Sequence, residues 1–494
     1  IGAKNLSSGG ISRVPMIVTL IILAAVAGTT ILLTIIAISQ RYTTPDQALR
    51  LSTPVCSVWI VASAVWGPYF YIVRIPGLFD ITIERILFGC LLFILTMGAC
   101  TGQLMLRKNV TIELLMLCFL AVCLYSMAVH GFTPQLPEFP SPWNIFITGY
   151  FFPFLMFVFA KQYIVGERDI RLVVTVLFVL GCYLAITGFF EFFNLRRFVF
   201  PRYINDPTVW LHYERARGPF LNAAFNGAAI LIGCACGIHL VHHQGGMKKL
   251  CSGLALFVFP FAVFFTQTRA VYLGLILLSA FFLGFYATRY PKWKLLALPV
   301  CLALVMLLAN APRLASEERR AGGVLQKIEV EQRLGLIKRS MLMFFDRPFL
   351  GVGLAQFIPA SLKEYQGKVA FFASFEALTQ HNHLVGMMVE LGLAGTLLYG
   401  AIIVTVARRL IRLRRLLPPE GFLGKNFAVM MMGVWLVYLN NNFFVEPSYC
   451  LFINAVPFLF AGIADGLSTR RTSVYAVGFS SGVCRYPCIE PITK

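Results

Sequence analysis

Apolar residues in this chain gather in long unbroken runs. They follow neither the two-residue alternation of strands nor the one-sided stripe of soluble helices. Residues 16–39 carry no charge, and neither do residues 270–288. About 20 apolar residues in a row suffice to cross a bilayer as a helix, and about 13 such runs occur. They fall at 16–39, 53–73, 82–102, 111–130, 144–163, 170–193, 220–241, 250–266, 270–289, 293–310, 383–407, 426–444 and 449–466. The pattern predicts an all-α protein, a polytopic transmembrane bundle of about 12–13 spans. Short alternating segments of the kind that build β-barrels are missing, which excludes that class.

The connections are short with one exception. Residues 311–382 form a loop of about 70 residues, far beyond the usual connection length. The loop holds Glu317, Glu318, Glu329, Glu331, Asp346, Glu364 and Glu376, against 22 acidic residues in the whole chain. Within it, Val324, Ile328, Leu334, Ile337, Met341 and Phe345 recur at near-helical spacing, with Lys327, Glu331, Arg333 and Lys338 between them. That spacing predicts an amphipathic helix lying on the membrane surface or capping a cavity. The following DRPFLGVG carries Pro348, Gly351 and Gly353, which end the helix and permit tight turns. Residues 1–494 read as one polytopic membrane domain with the 311–382 loop inserted and a tail at 467–494.

Charge sets the expected orientation. The net charge is +20, but the basic residues sit in short inter-span loops: Arg107 and Lys108, Lys161 to Arg171, Lys248 and Lys249, Arg289 to Lys294, and Arg408 to Arg415. This is the positive-inside distribution rather than the soluble basic face that nucleic-acid binding needs. It places 131–143, 194–219, 267–269, 311–382 and 443–448 outside, and the 467–494 tail in the cytoplasm. The first quarter is ambiguous. Gly67, Pro68 and Pro76 make 53–73 read as a broken or re-entrant segment, leaving 12 or 13 spans. Residues 16–39 are too long a run, and lack the small-residue site, for a cleaved signal peptide. Cys90, Cys118, Cys182, Cys234 and Cys301 lie in apolar runs and read as small buried hydrophobes, and Cys484 with Cys488 form a lone CxxxC. His239, His242 and His243 fall on the inner side without a carboxylate, so they read as solvated rather than as a zinc site.

Three polar groups on the outer side need an explanation. HYERARGPFLNAAFNGAA at 212–229 brings Arg215 and Arg217 to a Gly-Pro turn, with Asn222 and Asn226 entering the next span. FFTQTRAVYLG at 264–274 leaves Arg269 between two apolar runs on a side where Lys and Arg are depleted. HNH at 381–383 opens a span after the long loop. Helix capping and interfacial solvation would account for each group alone. Together they place several guanidiniums and a base on one side beneath a large loop. Arg grips phosphate oxygens bidentately, and a neutral His can take a proton from a hydroxyl near neutral pH. NNNFFVEPSY at 440–449 adds amides and Glu446, which suit sugar hydroxyls or a capped helix end.

In this order the stretches resemble the bacterial O-antigen ligase and polymerase superfamily. The ligase motif is His, then Asn, Ser or Gln, nine residues, Gly, two residues, and Gly, Thr or Tyr. Here His381-Asn382 is followed by nine residues, Gly392, two residues and Gly395. Arg269 with Leu273 matches Arg-xxx-Leu, and the resemblance spans roughly 210–465. It implies a fold like that of the C-superfamily glycosyltransferases and a metal-independent, inverting transfer without a cofactor. The donor would be a glycan on undecaprenyl diphosphate, and the acceptor a sugar hydroxyl of lipid A core, in lipopolysaccharide or surface polysaccharide biosynthesis. The site would face the periplasm from the bacterial inner membrane. By the same analogy His381 would activate the acceptor hydroxyl. Arg217 and Arg269 would bind the diphosphate, with Arg215 and Arg347 as further members of the clamp. Asn382, Gly392, Gly395 and Leu273 would support the site, the two glycines by letting a neighbouring helix pack closely. A polymerase of the same superfamily, using a second lipid-linked repeat unit as acceptor, fits the same framework. Transport of a lipid-linked glycan or a solute is the reading from another class. Mid-span charges are few, with Glu191 and Glu390 the main ones, and the two halves are unrelated, which weighs against it.

Overall fold

A computed structural model describes residues 46–73, 81–100, 110–132, 141–209, 212–286, 327–365 and 380–480. The expected spans at 16–39 and 293–310 lie outside these residues, as do Cys484, Cys488 and parts of the 311–382 loop. The described chain is almost wholly helical. Its only strands are β1 (Ile72–Val73) and β2 (Ile81–Thr82), a two-residue antiparallel pair.

Nine described helices are long and apolar enough to cross a membrane. They are α2 (Ile83–Cys100), α3 (Thr111–His130), α4 (Pro142–Tyr163), α5 (Glu167–Phe192), α6 (Ala223–His243), α7 (Gly246–Phe265), α11 (His383–Leu416), α12 (Lys425–Phe444) and α13 (Leu451–Ser480), with α13 apolar as far as Thr469. Two shorter apolar helices join them. The first is α1 (Asp46–Val65), apolar over its Ser52–Val65 part, and the second is α8 (Arg269–Phe285). The loop contributes α9 (Lys327–Asp346) and α10 (Phe357–Glu364). The first of these segments is broken as its Gly-Pro pair implies: α1 stops at Val65 and the chain turns at Gly67-Pro68 into β1.

The middle of the bundle is made by α13, whose residues 451–467 are all buried, with α4, α11 and α12 around it. Small residues allow the closest crossings. A Cβ on Gly462 of α13 would strike the Phe157 carbonyl of α4, and Gly181 of α5 meets Gly233 of α6 backbone to backbone. The other faces of α2, α3 and α7 leave Leu92, Leu114, Leu117, Val129 and Leu254 exposed, as lipid-facing positions do. Cys118 is exposed on the same side of α3, so this cysteine faces outward rather than into the core.

A buried ion network closes the end of the bundle that bears the Arg408–Arg415 run. Lys161, expected in a basic loop, is instead 1% exposed in the last turn of α4. Its ammonium lies 2.8 Å from Asp465 on α13 and also pairs with Glu113 on α3, while Arg409 of α11 reaches Asp465 at 3.3 Å. His239 is corrected in the same way: it is buried, not solvated. Its Nε2–H donates to the Phe422 carbonyl at 3.0 Å, so its Nδ1 accepts from the Tyr286 hydroxyl at 3.1 Å.

The α9 helix buries a different face from the one the apolar stripe implies. Leu336, Arg339, Ser340 and Met343 turn inward, and Leu334, Ile337 and Phe345 stay exposed. The stripe is real, but the inward face is the opposite one, because Arg339 donates to the Ser361 hydroxyl (2.6 Å) and thereby ties α9 to α10.

Candidate active site

The other end of the bundle gathers the starts of α4, α6, α8, α11 and α13 with the ends of α3, α5, α7 and α12. The sequence motifs meet here. His381 lies just before α11, half-buried. Each of its neighbours is anchored. Gln380 is buried and hydrogen-bonds the Ser340 hydroxyl of α9. Asn382 is the N-cap: its Oδ1 accepts the Val385 N–H at 3.1 Å. His383, 2% exposed, stacks on Tyr150 (6.1 Å between centroids) and meets Tyr399 edge-on (5.7 Å). The Tyr399 hydroxyl in turn bonds the Tyr438 hydroxyl of α12. Tyr150 belongs to a π-helical stretch of α4, Phe146–Phe151, and such bulges re-aim side chains. Asn454 of α13 holds that stretch by donating to the Gly149 and Pro447 carbonyls at 3.2 and 2.9 Å.

The glycine motif and DRPFLGVG turn out to be two halves of one joint. At Gly392 the α11 backbone leaves helical geometry (φ 61°, ψ −160°). The break frees the N–H groups of Leu393 and Ala394, which donate to the Pro348 and Phe349 carbonyls at 2.8 and 3.1 Å. Val352 and Gly353 return bonds to the Val389 and Glu390 carbonyls, each at 2.9 Å. The Glu390 carboxylate accepts the N–H groups of Ala355 (3.0 Å) and Phe357 (3.2 Å). A loop, not a neighbouring helix, therefore crosses Gly392. Gly395 lies one turn on, where a Cβ would strike Leu391 of its own helix.

The four arginines separate into two kinds. Arg217 is fully buried, and its guanidinium donates to the carbonyls of Ile204 (2.7 Å), Asp206 (2.9 Å) and Val209. Around it, Gly218 N–H donates to Glu191 (2.9 Å) and Asn226 Nδ2 to the Ala216 carbonyl (3.0 Å). Asn222 caps α6 through the Ala224 and Phe225 N–H groups. Arg217 thus holds the Gly-Pro turn together, its Nη1 and Nη2 groups donating to protein carbonyls. Arg347 lies on the surface, paired with Glu364 at 2.9 Å, so it too is committed elsewhere.

Arg215 and Arg269 differ. Arg215 is 9% exposed, yet its guanidinium has no hydrogen bond or ion pair among the described residues. Burial lowers its pKa, and the neighbouring Tyr272 and Glu214 act in the opposite sense. Arg269 is exposed at the first residue of α8 and is likewise unpaired among the described residues. The backbone brings the two together: Ala216 N–H donates to Phe265 O at 3.1 Å, just before the 266–268 turn that leads to Arg269. Asn440 of α12 donates to the Ala270 carbonyl at 2.9 Å and fixes the start of α8 against the helix that carries Tyr438. Leu273 is exposed on α8.

Glu446 stands between α12 and α13 and accepts the Ser448 hydroxyl at 2.9 Å. Burial first, and then the nearby Glu390 carboxylate, hold its carboxyl well above the usual range. Among the described residues no three His, Cys, Asp or Glu side chains come together to hold a metal ion.

Residues 254–400 match the family model of the O-antigen ligases, a stretch that contains Arg269, Leu273, the DRPFLGVG loop and the His381–Gly395 motif. The match supports the resemblance read from the sequence and relates the chain to the O-antigen ligase superfamily. A search of curated proteins gives no match.

Proposed function

We propose that this protein is a glycosyltransferase of the O-antigen ligase type, acting at the periplasmic face of the bacterial inner membrane. It moves a glycan from undecaprenyl diphosphate to a sugar hydroxyl of an acceptor such as lipid A core. His381 takes the proton of the attacking hydroxyl, and the guanidiniums of Arg215 and Arg269 neutralise charge building on the departing diphosphate. The acceptor oxygen forms the new glycosidic bond from the face opposite the leaving diphosphate, which inverts the anomeric centre.

The observation that carries this reading is the pairing of an anchored, half-buried His381 with two arginines that lack protein partners, at the same end of the bundle. Of the four arginines weighed from the sequence, Arg215 and Arg269 keep the ligand role. Arg217 and Arg347 do not.

The test is transfer in nanodiscs from undecaprenyl-diphosphate glycan to lipid A core or to a second lipid-linked repeat unit. Transfer to core is expected, with His381→Gln slower by about 10²–10⁴-fold. Chain lengthening on the lipid carrier would make the protein a polymerase instead. No transfer by intact protein would remove the enzyme reading.

A further inference from the structure

The run RRLIRLRR at 408–415 closes α11, at the end of the bundle opposite the candidate active site. Basic charge in such a place orients a span, and lysine would serve that purpose as well as arginine. The structure divides these five arginines by what they touch. Arg409 pairs with Asp465 at 3.3 Å, and Arg414 lies over the Phe285 ring, 5.4 Å from its centroid. Arg408, Arg412 and Arg415 are exposed and have no hydrogen bond or ion pair among the described residues.

The division follows the helical period. Val406, Leu410 and Leu413 are buried and mark the inward face. At about 100° per residue, Arg408 and Arg415 stand almost opposite that face, and Arg412 flanks them. The stripe does not stop at the arginines. Leu397, Val404 and Ile411 are exposed along the same line. This side of α11 is therefore apolar through the middle of the helix and cationic over its last two turns. By helical rise Arg408 lies ~37 Å beyond His383, past the ~30 Å hydrocarbon core and within the headgroup layer. Arg408 and Arg412 are one turn apart, close enough to grip one phosphate together, and Arg415 follows on the next turn.

We infer that this stripe is a binding site for an anionic phospholipid of the leaflet opposite the candidate active site. Its acyl chain lies against Leu397 and Val404, and its phosphate oxygens meet the guanidinium forks. A free phosphate or a nucleotide would carry the charge but leave the apolar part of the stripe uncovered. Lipid binding is measured without any transfer reaction, so the outcome does not depend on the proposed function.

Native mass spectrometry of the full chain in detergent, with equimolar dioleoyl phosphatidylglycerol and dioleoyl phosphatidylcholine, measures which lipid stays bound. Wild type is expected to retain phosphatidylglycerol preferentially. Arg408→Gln and Arg412→Gln are each expected to lower that preference about fivefold, the weight of one cation at a lipid surface. The triple variant Arg408→Lys, Arg412→Lys, Arg415→Lys keeps the charge that orients the span but loses the forks, and is expected to show a reduced preference. Full preference in that variant would overturn the inference, because charge alone would then suffice. Equal retention of the two lipids by wild type, or unchanged preference in both Gln variants, would overturn it too. So would displacement by glycerophosphoglycerol, the headgroup without its chains, as effectively as by the lipid, since the apolar part of the stripe would then contribute nothing.

Discussion

Gly392 and Phe349 touch backbone to backbone: a Cβ on Gly392 would sit on the Phe349 carbonyl carbon and oxygen. The contact locks the outer loop into the break of α11, eleven residues after His381. The backbone there also has φ +61° with an extended ψ, a region essentially reserved for glycine. Gly392→Ala is expected to destabilise the protein by about 1–3 kcal/mol from backbone strain, with the steric clash adding to that. Gly400, two turns further on with open space around it, is the control, where Ala is expected to be neutral or stabilising by about 0.5–1 kcal/mol. Thermal unfolding in detergent compares the two. Equal midpoints would show that the loop does not depend on this crossing.

His381 and His383 are two residues apart and stand in opposite surroundings. Replacing His383 by Phe keeps the ring between Tyr150 and Tyr399, so the variant is expected to fold and to retain most transfer. His383→Ala empties the cage and is expected to cost about 3–5 kcal/mol, as for other large buried rings. His381→Gln should do the reverse, with normal stability and transfer down by about 10²–10⁴-fold. Normal turnover by His381→Gln, together with loss in His383→Phe, would exchange the roles.

Spans were legible because hydrophobic run length is a local property. The starts of α3, α11 and α12 and the end of α1 near Gly67 follow directly from the runs and breakers. The motif residues were legible as a set, but not their division of labour. Arg215 and Arg217 look alike in sequence, and only the backbone carbonyls of residues 204–209 decide which is enclosed. The joint between Gly392 and DRPFLGVG was hidden because its partners are about 40 residues apart and meet through main-chain atoms, which leave no pattern of side chains. The glycines themselves, Gly392 inside a predicted span and Gly351 and Gly353 in the loop, were the available signal.

Arg217 and Arg347 separate a scaffold arginine from a surface one. Arg217→Gln strips charged donors from three carbonyls around the Gly218 turn. A loss of about 3–5 kcal/mol is expected, seen as poor folded yield. Arg347→Gln breaks an exposed pair with Glu364 and is expected to change stability by at most about 1 kcal/mol, with transfer unchanged. Size-exclusion profiles and transfer rates measured side by side check both. A specific loss of donor affinity in Arg347→Gln, at full stability, would return that residue to the clamp.

The Lys161–Asp465 pair offers a test at the opposite end. Asp465→Ala leaves the buried Lys161 ammonium with Glu113 as its remaining carboxylate and is expected to cost about 3–5 kcal/mol. Replacing both members with apolar residues of similar volume, Lys161→Met with Asp465→Leu, is expected to restore much of that loss. Additive losses in the double variant would mean that the network is needed for more than charge balance.

Glu446 gives the chain a pH dependence opposite to that of an ordinary paired carboxylate. Burial and the Glu390 charge raise its pKa in the folded protein, while in the unfolded chain it titrates in the ordinary carboxylate range. Between those two values the folded state holds a proton that the unfolded state has lost. The slope of stability with pH follows the protons bound unfolded minus those bound folded, so it is negative in this window. The contribution is fully present below the ordinary carboxylate range and disappears as pH rises through the raised folded value. Glu446→Gln, which cannot ionise and keeps an oxygen for the Ser448 hydroxyl, is expected to flatten the fall. Unfolding midpoints from pH 5 to 9 for wild type and variant measure it. Parallel curves would mean that Glu446 is ionised in the fold across this range, held by a cation or by solvent instead of by burial.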